Sequence, residues 1–318
     1  MSLLFFKAHR PLSLHRSLLV LPPRGWQGCL RVGQSSQFGP SLPTTTSVSA
    51  FTTLAATASL STLAFTTLGT SLCVASANAF NQWTEVPFDA QMVRTRNRLL
   101  VRQGASPLQA FSLAVASGAV GVGLLAAEVN GLTALLGLGN IFLYAGVYTP
   151  MKRLHIGNTW AGALVGALPP MMGWAACTGS LEPGAWLAAY LLYAWQFPHF
   201  NALSWRIRED YARAGYNMTV VRDPALNARV ALRYSLSMLP IALIAPAIGL
   251  TTPFFTLNAT LVNAYMCIEA WRFWKKPNDK SSRRLFFSSL IHLPVLFGLL
   301  LFHKQSPGWQ VRQRKENE

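Results

Sequence analysis

Charged side chains are scarce in this chain. Asp, Glu, Lys and Arg make up only 12% of its 318 residues, and 51% are hydrophobic, whereas ordinary soluble domains are about a quarter charged. This composition excludes an ordinary soluble globular protein and is typical of a membrane protein. Acids are the rarer sign, because 11 acidic residues stand against 27 basic ones and none precedes Glu85.

Cysteine is equally sparse. The four cysteines, Cys29, Cys73, Cys177 and Cys267, are scattered along the chain. No two have the spacing of a zinc knuckle or a redox pair. The spacing therefore indicates small packing residues and excludes a disulfide scaffold.

Long apolar runs fill most of the chain instead. Eight of them have about the 17–25 residues that span a bilayer, at 54–80, 107–127, 133–150, 158–177, 183–203, 228–250, 252–271 and 285–302. They are rich in Leu and Ala and lack strand alternation, which favours helices over a barrel. The predicted fold is all-α, a polytopic transmembrane helical bundle.

The basic residues are confined to alternate connections. Lys and Arg are absent near 128–132, 178–182 and 251–253, and they concentrate in 81–106, 152–153, 204–234 and 272–284. This asymmetry is the positive-inside pattern of a membrane protein. The net charge of +16 is therefore explained by contact with membrane lipid, and no nucleic-acid partner is predicted. The pattern also places all candidate reactive loops on one membrane face.

The first 47 residues resemble a mitochondrial transit peptide. They contain Lys7, Arg10, Arg16, Arg24 and Arg31, many Ser and Thr, and no acid. A disordered basic tail, or sequence from a wrongly assigned upstream exon, is the alternative. The predicted organisation is a transit peptide or disordered segment at 1–47, a membrane domain at 48–303 and a polar tail at 304–318. The basic face would then be the matrix side of the inner membrane.

Three polar residues four apart end the first apolar run. Asn81 and Glu85 share a helix face, and Pro87 is expected to kink or end the helix before Asp89. Carboxylates followed by Arg94 and Arg98 suit Mg²⁺ carrying a phosphate. A helix cap with two solvated acids is the plainer interpretation.

Two further clusters fall on the same face. Tyr148, Lys152 and Arg153 could bind diphosphate oxygens, or could be an interfacial anchor. Asn158 begins a stripe of small residues with Gly162 and Gly166, which favours helix packing.

The last cluster begins at the end of the fifth run and continues beyond it. His199 lies in WQFPHFN, ahead of Glu209 and Asp210. A lone His in such a place is either a hydrogen-bonded structural residue or a group that contacts iron, a proton or a planar ring. Ionisable groups at this density in a membrane are costly unless they are used.

These motifs together resemble the intramembrane UbiA-like prenyltransferases, and within them the protohaem IX farnesyltransferases. The resemblance rests on NQWTEVPFDAQMVRTRNR, YTPMKR with NTW, and WQFPHFNALSWRIREDY with AGYNM, and it extends from about 70 to 302. It implies farnesyl diphosphate and haem B as substrates, haem O as the product, and Mg²⁺ as cofactor. It also implies a role in cytochrome oxidase assembly, with a haem A synthase as a possible recipient of the product.

The resemblance also implies roles for individual residues. The implied catalytic residues are Asn81, Glu85, Asp89, Tyr148, Lys152 and Arg153. The implied substrate-binding residues are Arg94, Asn158, His199, Glu209 and Asp210. To these we add Arg98, Arg206 and Arg208, because they lie in the basic loops on the same membrane face. Glu85, Asp89 and Asp210 would bind metal; Arg206 and Arg208 would meet the haem propionates.

Two alternatives and one departure accompany this resemblance. A prenyltransferase acting on a quinone precursor, or a non-catalytic transporter or assembly scaffold, would also have many spans and a polar cavity. The family pattern implies nine spans, but residues 48–80 are too short for two spans of about 20 residues each. We therefore expect a truncated or alternatively spliced product, or a faulty gene model, that lacks the first helix.

Overall fold

A computed structural model describes residues 59–305, and between these limits the chain forms helices and no strand. The helices are α1 (Leu60–Asp89), α2 (Pro107–Glu128), α3 (Gly131–Ile141), a π-helical segment (Phe142–Tyr148), α4 (Thr149–Leu154), α5 (Asn158–Thr178), α6 (Pro183–Arg206), α7 (Arg208–Arg213), α8 (Thr219–Arg222), α9 (Pro224–Ser237), α10 (Ile241–Ala247), α11 (Phe254–Lys275) and α12 (Asp279–Phe302). The all-α prediction is confirmed.

Five helical segments of the described range are long and apolar enough to cross a membrane. They are Leu60–Asp89, Pro107–Glu128, Gly131–Leu154, Pro224–Ala247 and Asp279–Phe302. Helices α5, α6 and α11 coincide with three further predicted spans but do not reach the same level of apolarity over a full span. The chain is thus a helical protein with at least five candidate spans.

Short polar signals fix where the long helices begin. The Ser59 hydroxyl accepts a hydrogen bond from the Thr62 amide at 3.1 Å. Ser106 forms a capping box with Gln109, and Asn278 forms one with Ser281. These caps satisfy amide groups that have no partner inside a helix, so the polar connections determine helix starts although the helices themselves are apolar.

The end of α1 differs from the prediction. Pro87 lies inside the helix, which continues to Asp89. Proline disrupts the hydrogen bond to the residue four before it, but only two helical residues remain beyond the proline. Asp89 is therefore the last helical residue and stays on the face that carries Asn81 and Glu85.

Two glycines allow α1 and α2 to pack closely. A side chain at Gly121 would begin 2.9 Å from the Gly69 carbonyl oxygen and 3.0 Å from the Cys73 amide nitrogen. Close backbone approach through small residues is the usual basis of helix association in membranes. This contact aligns the helix that carries the acidic residues.

The second half of the chain packs around large buried side chains. Helix α6 packs against α9 and α12, and α11 packs against the same two helices. Trp195, Phe255 and Phe273 are almost fully buried among these four helices. Asn201 and Asn227 join α6 to α9 because each side-chain amide donates to the other's backbone carbonyl at 3.0 Å.

Some predictions fall outside the described residues. The transit peptide at 1–47 and Cys29 lie there, as does most of the tail at 304–318. Of that tail, Lys304 pairs with Thr251 in an isolated bridge. Cys73, Cys177 and Cys267 are free thiols, and Cys73 and Cys267 are buried, in agreement with the packing role.

We predict that Gly121→Val destabilises the protein by about 1–3 kcal/mol, the usual cost of overpacking, because the new side chain meets backbone atoms of α1. Gly123→Val is the matched control, since nothing lies within 4 Å of a side chain there. Thermal unfolding in detergent measures both. Equal midpoints for the two variants would show that α1 and α2 do not depend on this contact.

Candidate active site

The acidic cluster lies at the carboxyl-terminal end of α1. Asn81, Glu85 and Asp89 are only 3%, 5% and 2% exposed. Their spacing of four places all three on one face, as predicted. The alternative of solvated acids is wrong, because both carboxylates are buried.

Each carboxylate has its own cation. The Lys152 Nζ atom of α4 lies 2.9 Å from Glu85 Oε1 and 3.0 Å from Oε2. The Arg98 guanidinium lies 2.5 Å from Asp89 Oδ2. Buried charges persist in proteins when they are paired, and each of these carboxylates has such a partner.

A π-helical segment precedes the basic end of this site. It places Tyr144 and Tyr148 inward, with their ring centroids 5.5 Å apart. The Thr149 hydroxyl donates to the Tyr144 carbonyl at 2.9 Å and accepts from the Asn81 amide at 3.0 Å. The same Asn81 amide also donates to Glu85 Oε2 at 2.8 Å. Isolated π-helical turns are frequent at functional sites, and this one links α4 to the acidic face.

Glycines of α5 make room for two polar side chains. A side chain at Gly162 would begin 2.8 Å from the Tyr148 ring, and one at Gly166 would begin 2.2 Å from Gln196 Oε1. The Lys152 ammonium lies 4.6 Å from the centre of the Tyr148 ring. The packing role expected for these glycines is confirmed, and one consequence is the position of Tyr148.

Aromatic side chains lie beside the acidic cluster. The Arg153 guanidinium lies 4.6 Å from the centre of the Phe88 ring, and the Phe88 and Tyr216 ring centroids are 5.8 Å apart. Burial raises the pKa of the Tyr216 phenol, and the charges of Glu85 and Asp89 raise it further. Burial also raises the pKa of the Tyr211 phenol, and the positive charge of Arg94 offsets part of that rise. Both phenols thus stay protonated and can donate hydrogen bonds at neutral pH.

His199 lies in a different contact, between α6 and α12. Its ring stacks against Trp195 at 4.6 Å and Phe286 at 4.9 Å. Its Nδ1 atom lies 2.8 Å from the Ser289 hydroxyl. This is the environment of a hydrogen-bonded core residue.

The second acidic group stays near the surface. Asp210 forms an ion pair with Arg213 on α7, and Glu209 is exposed. Arg208 donates to the Trp205 carbonyl at 2.7 Å and lies 3.5 Å from Asp279, and Arg206 is exposed. Within residues 59–305, no group of three or more His, Cys, Asp or Glu could hold a metal ion, so Asp210 does not join Glu85 and Asp89 in such a group.

The sequence alone did not identify three residues of the site, Tyr144, Thr149 and Tyr216. Tyr144 precedes Tyr148 and Lys152 at the same spacing of four, so a signal for it was present. Tyr216 lies in a loop, where no periodicity marks it. Thr149 was visible only as a neighbour of Tyr148, and its role depends on a contact with Asn81 across 68 positions.

The geometry can be compared with known proteins. The UbiA prenyltransferase family matches residues 41–291. The chain belongs to the UbiA prenyltransferase family. It is 53% identical over 243 residues to a human relative named protoheme IX farnesyltransferase, mitochondrial, and 48% identical over 262 residues to a Yarrowia lipolytica relative of the same name. These matches cover 76% and 78% of this chain but 55% and 56% of the relatives, so the chain spans about half of their length.

Solved structures of this family share the fold at low sequence identity. A UbiA homologue from Aeropyrum pernix K1 is 18% identical with a TM-score of 0.60, over 79% of this chain and 97% of that one. A UbiA homologue from Archaeoglobus fulgidus bound to GPP and Mg²⁺ is 15% identical with a TM-score of 0.59, over 80% and 94%. The helical bundle of this UbiA family member is therefore the fold of the family.

We predict that Lys152→Met destabilises the protein by about 3–5 kcal/mol, because it leaves the Glu85 carboxylate buried without its cation. The double variant Glu85→Gln, Lys152→Met should recover part of that loss, since both charges are then removed. Thermal unfolding of the two single variants and the double variant in detergent gives the coupling between the residues. Strict additivity would contradict a direct interaction.

Proposed function

We propose that this chain transfers the farnesyl group of farnesyl diphosphate to a vinyl group of protohaem IX, forming haem O. The observation that carries the proposal is the buried cluster of Glu85 and Asp89 with Lys152 and Arg98, in a chain 53% identical to a relative named protoheme IX farnesyltransferase. A quinone-precursor acceptor or a transporter has no comparable support.

The donor set suits Mg²⁺. This ion is usually bound through one or two carboxylates together with phosphate oxygens and water, and Glu85 and Asp89 are two buried carboxylates one helical turn apart. A Mg²⁺ ion bound there would neutralise charge that develops on the leaving diphosphate. The Archaeoglobus fulgidus homologue, whose structure is bound to GPP and Mg²⁺, supports this proposal. We retain Asp210 as a candidate ligand for a second ion.

Basic residues beside the acids would bind the diphosphate. Lys152 and Arg98 lie at the carboxylates, and Arg153 lies over the Phe88 ring at the same end of the bundle. If Glu85 and Asp89 held the metal, Lys152 and Arg98 would be left to pair with diphosphate oxygens. Arg94 and the Tyr148 hydroxyl complete the proposed set, and cations aimed at a leaving group lower the barrier to its departure.

The reaction needs a dry space for its carbocation. The allylic carbon–oxygen bond breaks, diphosphate leaves, and the haem vinyl carbon forms the new carbon–carbon bond. Apolar helix walls would hold the farnesyl chain and keep water from the cation during that step. Water then adds its oxygen and loses a proton, which gives the hydroxyethylfarnesyl group.

The acceptor and cellular setting complete the proposal. His199 and Glu209 are candidates for the haem-binding side, and Arg206 and Arg208 for its propionates. We further propose eight spans in this chain, the mitochondrial inner membrane as its location, and an active face toward the matrix. A haem A synthase is the proposed recipient of haem O.

We predict that Glu85→Gln lowers haem O formation about a hundredfold or more, the usual scale when a group that stabilises transition-state charge is lost. The assay is haem extraction and chromatography from cells that lack their own haem O synthase and express each chain. Glu128→Gln is the control, because Glu128 is an exposed acid at the end of α2. No haem O from a stably inserted unmutated chain would refute the proposed acceptor or the activity of this chain.

We predict that Arg206→Glu with Arg208→Glu weakens haem binding about tenfold, because two charges that face the propionates are reversed. Haem titration of the purified protein, followed by absorbance, measures the affinity. Lys275→Glu with Lys276→Glu reverses two charges at the end of α11 and should leave it unchanged. If both double variants bind haem as tightly as the unmutated chain, Arg206 and Arg208 do not belong to the haem site.

A further inference from the structure

The loop between α7 and α8 is fastened to the basic end of α4. The Asn217 amide nitrogen donates to the Lys152 carbonyl at 2.7 Å, and the Asn217 side chain donates to the Arg153 carbonyl. The last carbonyls of a helix lack partners within it. The loop therefore caps α4, the helix that carries Lys152 and Arg153.

Asn158 fastens the same loop a second time. Its side-chain amide donates to the His155 carbonyl at 2.7 Å and to the Asn217 carbonyl at 2.9 Å. Asn158 is fully buried, with 0% exposure. Both donor hydrogens are thus used within the protein, which makes Asn158 a structural link between α5 and the loop.

The residue positioned by this link is Tyr216. It directly precedes Asn217, follows the turn at Gly215, where φ is +72°, and is 4% exposed. Its ring lies 5.8 Å from Phe88, which falls between Glu85 and Asp89 on α1, and 6.1 Å from Tyr211. Glu85 and Asp89 are near enough for their charges to act on the Tyr216 hydroxyl.

Glu85 and Asp89 already have cations of their own. Lys152 pairs with Glu85 and Arg98 with Asp89, so neither acid depends on a phenol for neutralisation. A diphosphate has many acceptor oxygens, and a phenol adds a neutral donor that does not compete with the cations. A buried donor at this place is therefore suited to the anion that the cluster would bind.

We propose that Tyr216 is a further substrate-binding residue, which donates a hydrogen bond to a diphosphate oxygen, and that Asn158 is the positioning residue that holds it there through Asn217. This inference rests on the proposed function, since the ligand is the diphosphate of that reaction. It adds a residue from the loop after α7 to a site otherwise built from α1, α4 and the residues that follow them.

The test is a calorimetric titration of the purified full chain with inorganic diphosphate in the presence of MgCl₂. Tyr216→Phe keeps the ring and removes the hydroxyl, and it should weaken binding about tenfold, the scale of one hydrogen bond to a charged group. Tyr234→Phe is the matched control, because that hydroxyl accepts a hydrogen bond from Trp160 Nε1 at 2.9 Å. It should bind diphosphate as the unmutated chain does.

Asn158→Asp tests the positioning role. The variant keeps the shape of the side chain and loses both donor hydrogens, so diphosphate binding should weaken to a similar degree. In a chain that already carries Tyr216→Phe, the same change should cause little further loss, because its effect passes through that hydroxyl. Full additivity would instead mean that Asn158 acts on the ligand by another route.

The outcomes separate this inference from the proposed function. If the unmutated chain binds no diphosphate, the proposed function fails. If it binds diphosphate, Glu85→Gln weakens that binding, and Tyr216→Phe binds as tightly as the unmutated chain, only the role of Tyr216 is overturned. Thermal unfolding midpoints of all variants check that a loss of binding is not a loss of fold.

Discussion

The site depends on two carboxylates that are buried at the end of a membrane helix. Burying a charge without a partner costs much free energy. Glu85 and Asp89 can be buried only because Lys152 and Arg98 reach them from other parts of the chain. This pairing requires that α1, α4 and the connection after α1 meet at one place. The positions of the neighbouring tyrosines follow from the same requirement.

Close packing provides the precision that ion pairs alone lack. Gly69 and Gly121 bring α1 and α2 together, and Gly162 leaves space for the Tyr148 ring. The π-helical segment turns Tyr144 and Tyr148 inward, and Thr149 connects that segment to Asn81. Since apolar helices gain little from hydrophobic association within lipid, contacts of this kind decide their arrangement.

The two polar regions of the chain differ in kind. The first region concentrates acids, cations and phenols around Glu85, as a charged substrate and a divalent cation require. The second contains His199 and Asn201, whose polar atoms bond to Ser289 and Asn227 inside the packing of α6, α9 and α12. We therefore place the proposed departure of diphosphate in the first region.

The sequence by itself determined the helical class, the positions of the long apolar runs, and the face shared by Asn81, Glu85 and Asp89. Those features follow from composition and from a local period of four residues, which no distant contact alters. It also pointed to Tyr148, Lys152 and Arg153, through the resemblance of their motif. Only the tertiary structure decided which cation pairs with which acid, that Asn158 fastens a loop, and that Tyr216 lies beside the carboxylates. These depend on contacts between residues far apart in the chain, and a single sequence has no period or spacing that records them.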